Sequence, residues 1–260
     1  MNFIALVGGE TLLGADVREA LVDRVPDVTI RMIGSQDETI LTEEDGEAVV
    51  LTGLDANAIA EARAVVLAGS PESSRKAFTM LEASPRRPLI VDLTAALEER
   101  PEARVRAPGV EGGVRGDAST IQIVAHPAAI VLAKVLRAAK GAGRAVATIL
   151  APASDRGRAG VEELRKQTVQ LLSFQSVDEN LFGAQLSFNL LAGTLGQEER
   201  RIERHLASLL SSGAPAPMPS IRVVQAPVMA RRSATSRAAP SPSAVSSSSS
   251  RSTSILPLNG

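Results

Sequence analysis

The chain has 260 residues, 44% of them apolar, enough to fill one large core or two modest ones. Its 28 Lys and Arg against 29 Asp and Glu leave a net charge of −1, with no overall pull toward nucleic acid or an anionic membrane. The absence of cysteine excludes disulfides, thiolate metal sites and thiol catalysis, and the absence of Trp and Tyr leaves little to stack single-stranded bases on.

Short apolar runs alternate with amphipathic segments. Phe3–Val7 reads as a buried strand, without the basic stretch and cleavage site of a signal peptide. A helix follows over Leu12–Asp23, then strands at Val28–Ile33, Ala48–Leu51 and Ala64–Ala68. Pro71 sits well at the first turn of a helix reaching Ala83, and Pro88–Asp92 closes the set. Strands apolar throughout, separated by helices, predict a parallel sheet covered on both faces. From Glu98 to Asp117 the pattern dissolves into Pro, Gly and charge, and a loop is expected. Thr120–Ala125 restarts as a strand, Pro127–Lys140 as a helix and Arg144–Leu150 as a strand. Arg158–Leu172 is helical, with Val161, Leu164, Val169 and Leu172 on one stripe. Leu186–Leu191 fits strand or helix, Glu198–Leu210 a helix and Ile221–Val228 a last strand.

From Met229 the chain turns to Ser, Arg, Ala and Pro, with five serines at 246–250, and is expected to be disordered. No acidic residue follows Glu203, so the body is acidic and the end basic. No run of 18 apolar residues exists, so no membrane span, a cytoplasmic protein and no metal site are expected.

The order strand, Gly8-Gly9-Glu10-Thr11-Leu12-Leu13-Gly14, helix is the layout of a dinucleotide-binding turn. Gly8, Thr11, Leu12, Leu13 and Gly14 are the candidate contacts, and Glu10 adds a carboxylate that is unhelpful beside phosphates. A tight strand-to-helix turn with no ligand is the plainer reading of the same residues. Past the second strand, Gly34-Ser35-Gln36-Asp37 holds the candidates Ser35 and Gln36, with the acid placed slightly beyond the strand end. These residues do not decide between NAD and NADP.

The segments Ile123-Val124-Ala125-His126-Pro127-Ala128-Ala129 and Gly157-Arg158-Ala159-Gly160-Val161-Glu162-Glu163-Leu164 together resemble the aspartate-semialdehyde dehydrogenase family. The resemblance covers about residues 1–228. It implies an α/β protein with a Rossmann-like parallel-sheet NAD(P)-binding domain over 1–126. An α+β domain of the dimerisation and catalytic type is implied over 127–228, incomplete at its C-terminus, with the tail 229–260 beyond it. It also implies a homodimer, an oxidoreductase of amino-acid biosynthesis, and NADP ahead of NAD. The family's turn carries a glycine where this chain has Thr11, and Ala68-Gly69-Ser70 resembles its cofactor-contacting loop or, equally, a helix cap.

The resemblance also identifies what is missing. The family's nucleophilic cysteine opens a helix, and Ala129 stands in that slot. Ala151 stands in the slot of an orienting glutamine, and no histidine follows the last strand to act as base. His126 reads as a helix cap rather than a substitute base, and His205 as solvated. Glu198 and Arg201 match the family's substrate-holding pair, or form an exposed helix pair. Gln225 replaces the arginine that grips the substrate carboxylate, and an amide lacks that charged fork. The expectation is therefore a protein like these dehydrogenases but inactive in their reaction, a pseudoenzyme. The alternatives are an active NAD(P)-dependent oxidoreductase acting on an aldehyde, or a non-functional frameshifted product.

Overall fold

A computed structural model describes residues 3–44, 47–84, 87–110, 121–139, 144–193, 195–211 and 218–229. The tail assignment from 230 onward lies outside the described residues.

Strand β1 (Phe3–Val7) pairs in parallel with β2 (Thr29–Ile33) on one side, Phe3 opposite Thr29, after the helix α1 (Leu12–Arg24). On its other side it pairs with β5 (Ala64–Leu67), Val7 opposite Leu67. Between them lie β3 (Ile40–Glu44), β4 (Glu47–Leu51) and the short α2 (Ala56–Ala60). Beyond β5 come α3 (Pro71–Glu82), β6 (Leu89–Asp92), β7 (Ala103–Arg106) and β8 (Ile121–Val124). The six-stranded sheet runs β2-β1-β5-β6-β8-β7, and every pairing in it is parallel.

Alternation along β1 explains why its residues are apolar on both sides. Phe3, Ala5 and Val7 enter a core with Ile59, Ala77, Phe78 and Leu81 of α2 and α3. Leu6 turns the other way and packs with Val66, Leu13 and Val17. Fully burying such a side chain contributes roughly 1.5–3 kcal/mol.

Two sequence expectations are corrected. Ala48–Leu51 belongs not to the parallel sheet but to an antiparallel hairpin, with Ile40 opposite Leu51. The stretch expected to be a loop contains β7, an edge strand whose sequence alternates Ala103, Arg104, Val105, Arg106. Ala103 and Val105 pack on the core while the arginines suit an edge, where charge discourages further pairing.

The second half is built on a three-stranded sheet ordered β10-β11-β9. Helix α4 (Pro127–Ala138) leads to β9 (Val146–Pro152), a 3₁₀ turn (Ala153–Arg156) and α5 (Gly157–Leu172). Then come β10 (Leu191–Ala192), α6 (Gly196–Leu210) and β11 (Ser220–Ala226), which lies parallel to β9 and antiparallel to β10. Ala129, Ala133 and Leu136 of α4 meet Ile202, Leu206 and Leu209 of α6 above Ile221 and Val223 of the sheet.

Most of Leu186–Leu191 is neither strand nor helix, and a buried glutamine is the reason. The Gln167 Oε1 accepts the backbone N–H of Leu186 at 2.8 Å and of Ser187 at 3.1 Å. Its amide donates to the Asp178 carbonyl at 2.7 Å. One side chain on α5 thus takes up donors that a ladder would otherwise use. Packing at the helix start is equally tight: a Cβ on Gly160 would lie 2.2 Å from the Ala153 carbonyl oxygen.

Candidate functional site

The chain leaves β1 toward β2 on one side and returns to β5 on the other. Their carboxyl ends therefore flank the topological switch point, where doubly wound sheets take ligands. Gly8 bridges β1 and α1 with φ +89°, and a Cβ there would lie 2.2 Å from the Gly69 nitrogen. Thr11 is the cap of α1: its hydroxyl oxygen accepts the Gly14 N–H at 2.8 Å and lies 2.9 Å from the Gly8 and Ala68 carbonyls. The β-branched side chain thus ties the first turn to the crest of β5. Leu13 packs under the sheet beside Leu6, while Leu12 opens α1. Ser70 is the cap of α3, with a full capping box to Ser73. The backbone N–H of Ser35 donates to Glu10 Oε1 at 3.1 Å. Gln36 is exposed, and its carbonyl receives the Leu54 N–H.

A second cavity of about 520 Å³ opens between the end of β8, α4, α6 and the small sheet. Thr94, His126, Ala151, Asp155, Glu198 and Arg201 contribute to its wall. The hydroxyl of Thr94 is held by Asp92 Oδ1 at 2.7 Å, and that wholly buried carboxylate also accepts the Thr94 and Leu97 N–H groups.

His126 caps α4 through Nδ1, which accepts the Ala128 N–H at 3.2 Å. Its Nε2 lies 2.7 Å from Glu198 Oε1. With Nδ1 accepting, the proton sits on Nε2 and is donated to the carboxylate. That bond to His126 holds the Glu198 carboxyl below the usual carboxylate range against the opposing effect of burial. Arg201 lies 3.6 Å from Glu198 and 3.8 Å from Glu98.

The assignment of His205 as a solvated residue is corrected: it is only 2% exposed. Its Nδ1 accepts the backbone N–H of His126 at 2.9 Å, and its Nε2 lies 3.0 Å from Glu98. Burial pushes its pKa down, outweighing the nearby Glu98 carboxylate. Glu198 and Arg201 are likewise not an exposed pair but part-buried members of this wall. Helical periodicity could not reveal this, because Glu98 arrives from a segment 107 residues away in sequence.

Ala129 is fully buried in α4, with only a methyl group where the resemblance expects sulfur. Ala151 is buried in the cavity wall, and its carbonyl accepts the Gln225 side-chain amide at 2.9 Å. Gln225 and Ala151 are register partners across β11 and β9, so this amide is spent inside the sheet. The residues that sequence reasoning missed are Asp92 and Glu98. An Asp closing a buried strand was the only available signal for the first, and nothing marked the second.

No protein-family model matches the sequence, and no curated protein matches it. Solved structures do. Aspartate semialdehyde dehydrogenase II from Vibrio cholerae, complexed with ASA, superimposes with a TM-score of 0.69 at 21% identity, over 88% of this chain and 71% of that one. A probable aspartate-semialdehyde dehydrogenase from Pseudomonas aeruginosa gives 0.69 at 25% identity, over the same shares. The Candida albicans enzyme with NADP gives 0.55 at 12% identity, over 88% and 69%. Among the described residues no helix is long and apolar enough to cross a membrane, and no cluster of His, Asp or Glu could hold a metal. The fold of this chain is thus that of the aspartate-semialdehyde dehydrogenases.

Proposed function

We propose that this chain is a nicotinamide-dinucleotide-binding protein of the aspartate-semialdehyde dehydrogenase type that does not perform the acyl transfer of that reaction. The observation that carries the second half is the commitment of both imidazoles in the cavity wall. Both histidines of the chain accept a backbone N–H at Nδ1 and face a carboxylate at Nε2. Neither has a lone pair left to take a proton from substrate. Cysteine is absent, and the slot that would hold it carries the buried methyl of Ala129. A side chain without a lone pair forms no thiohemiacetal. The same commitment weighs against an aldehyde oxidoreductase that works without a thiol and takes a histidine as its base.

Dinucleotide binding is supported by the switch-point crevice and by two buried oxygens beside it, Glu10 Oε2 and Ser35 Oγ, that have no partner within the protein. Gly8, Thr11 to Gly14, Ser35 and Ala68 to Ser70 would form the cradle, with the N-terminus of α1 toward the pyrophosphate. A bound nicotinamide would supply a hydride acceptor or donor. The protein's own part would be to hold it over the cavity wall. The Candida albicans enzyme was solved with NADP, which supports the same class of ligand here.

The chain also pairs with a second copy on this reading. Val169, Leu172, Phe174 and Phe188 are exposed on and beside α5, the helix that the resemblance places in the dimerising half. Titration of the full-length protein with NAD and NADP in a calorimeter tests the binding half. Saturable binding with no turnover of aspartate semialdehyde is the expected result.

A further inference from the structure

The position of Glu10 is not accounted for by the packing of the glycine turn. Its Oε1 accepts the N–H of Ser35, the second residue past β2, at 3.1 Å. Its Oε2 is buried with no hydrogen-bond partner, and so is the Ser35 hydroxyl. Buried polar atoms without partners are costly, and a pair of them at one place calls for a ligand or water to satisfy them. The place itself is informative. A Cβ on Gly69 would lie 2.7 Å from Ser35 Oγ, so both oxygens sit where the crests of β2, β1 and β5 converge.

In doubly wound sheets an acidic residue near the end of the second strand accepts from the free ribose 2′-hydroxyl of NAD. This chain ends that strand with Ile33, Gly34 and Ser35. Here the carboxylate reaches the same place from the glycine turn instead. The acid slightly further on, Asp37, is bound through both oxygens to Lys76 at 2.5 Å.

We propose that Glu10 selects the dinucleotide: with one oxygen fixed on the Ser35 N–H, the other accepts from the ribose 2′-hydroxyl, so that NAD binds ahead of NADP. This rests on the reading that the crevice holds a nicotinamide dinucleotide. The Ser35 hydroxyl, able to donate and accept, completes the site for the neighbouring 3′-hydroxyl. A 2′-phosphate would bring negative charge against a carboxylate that Ser35 holds in place, and would leave Oε2 without a donor.

Calorimetry of the full-length protein with NAD and with NADP, repeated on Glu10→Gln, tests this. The variant keeps an acceptor for the Ser35 N–H and removes the charge. The wild type is expected to bind NAD at least about tenfold more tightly than NADP, and the variant to narrow that ratio to about threefold or less. NADP binding as tightly as NAD to the wild type, or an unchanged ratio in a variant with the wild-type melting temperature, would overturn the proposal while leaving dinucleotide binding intact. Binding of neither dinucleotide would overturn the reading beneath it as well.

Discussion

The backbone N–H of His126 donates to Nδ1 of His205 at 2.9 Å, joining the first turn of α4 to the buried face of α6. Each histidine directs its Nε2–H at a different carboxylate, His126 at Glu198 and His205 at Glu98. The result is one polar seam that ties together the two helices and the segment after β6. Its central bond holds only while Nδ1 of His205 is unprotonated.

That condition sets a pH dependence. Burial lowers the folded-state pKa of His205 against the pull of Glu98, with His126 and Arg201 also facing it. A group whose folded pKa is depressed contributes stability that is complete above its unfolded value, about 6.5, and is lost as pH falls through the folded value. Urea unfolding should therefore show falling stability from about pH 7 toward pH 5. The variant His205→Asn, which keeps an acceptor but cannot charge, should flatten that part of the curve. Glu198, whose pKa is also lowered, loses its share only at lower pH, below its unfolded value of about 4.3. An equally steep loss in His205→Asn between about pH 7 and pH 5 would contradict the assignment.

Removing the ring altogether is more severe. His205→Ala leaves the His126 N–H without its acceptor, takes from the largely buried Glu98 one of its partners while Arg204 and Arg201 remain, and opens a cavity beside Leu206. A loss of about 2–4 kcal/mol is expected from denaturant titration. A loss below about 0.5 kcal/mol would mean that the seam is not part of the folded core.

Gly8→Ala should destabilise the N-terminal sheet by about 2 kcal/mol or more. The added Cβ would sit 2.2 Å from the backbone nitrogen of Gly69 at a φ of +89°, and neither side can yield. The same change should abolish binding of NAD and NADP. Retained affinity in a destabilised variant would separate the turn's packing from any part in ligand binding.

The exposed apolar residues predict self-association. Phe174 is 99% exposed and lies just past Leu172 and Val169, both more than half exposed. Light scattering after size exclusion should give a dimer, and Leu172→Lys combined with Val169→Glu should weaken it by about a hundredfold or more with an unchanged circular dichroism spectrum. A wild-type protein that stays monomeric at high concentration would remove this part of the reading.

How much was legible in the sequence differs between the two halves. Phe3–Val7, Ala64–Leu67 and Leu89–Asp92 declare themselves because both faces of the sheet are covered, which leaves uninterrupted apolar runs. The edge strand Ala103–Arg106 does not, because an edge admits arginine at every second position. At the site, the cap at His126 follows from local spacing, and the cap at Ser70 is one of the two readings that Ala68-Gly69-Ser70 left open. The contacts from His205 to Glu98 and from Glu10 to Ser35 were not foreseen. Each joins residues distant in sequence, and each uses a charged side chain that a helix or a loop could equally have turned to water. Glu10 read as an obstacle to phosphate because its anchoring on the Ser35 N–H leaves no trace in its neighbours along the chain.

The most direct test of the account is an assay of full-length protein with aspartate semialdehyde, phosphate and either NADP or NAD, following formation of the reduced nicotinamide. With Ala129 and Ala151 in the slots for nucleophile and orienting amide, and both histidines engaged, no rate above the protein-free background is predicted. Sustained, phosphate-dependent reduction of either dinucleotide by the purified chain would contradict the account.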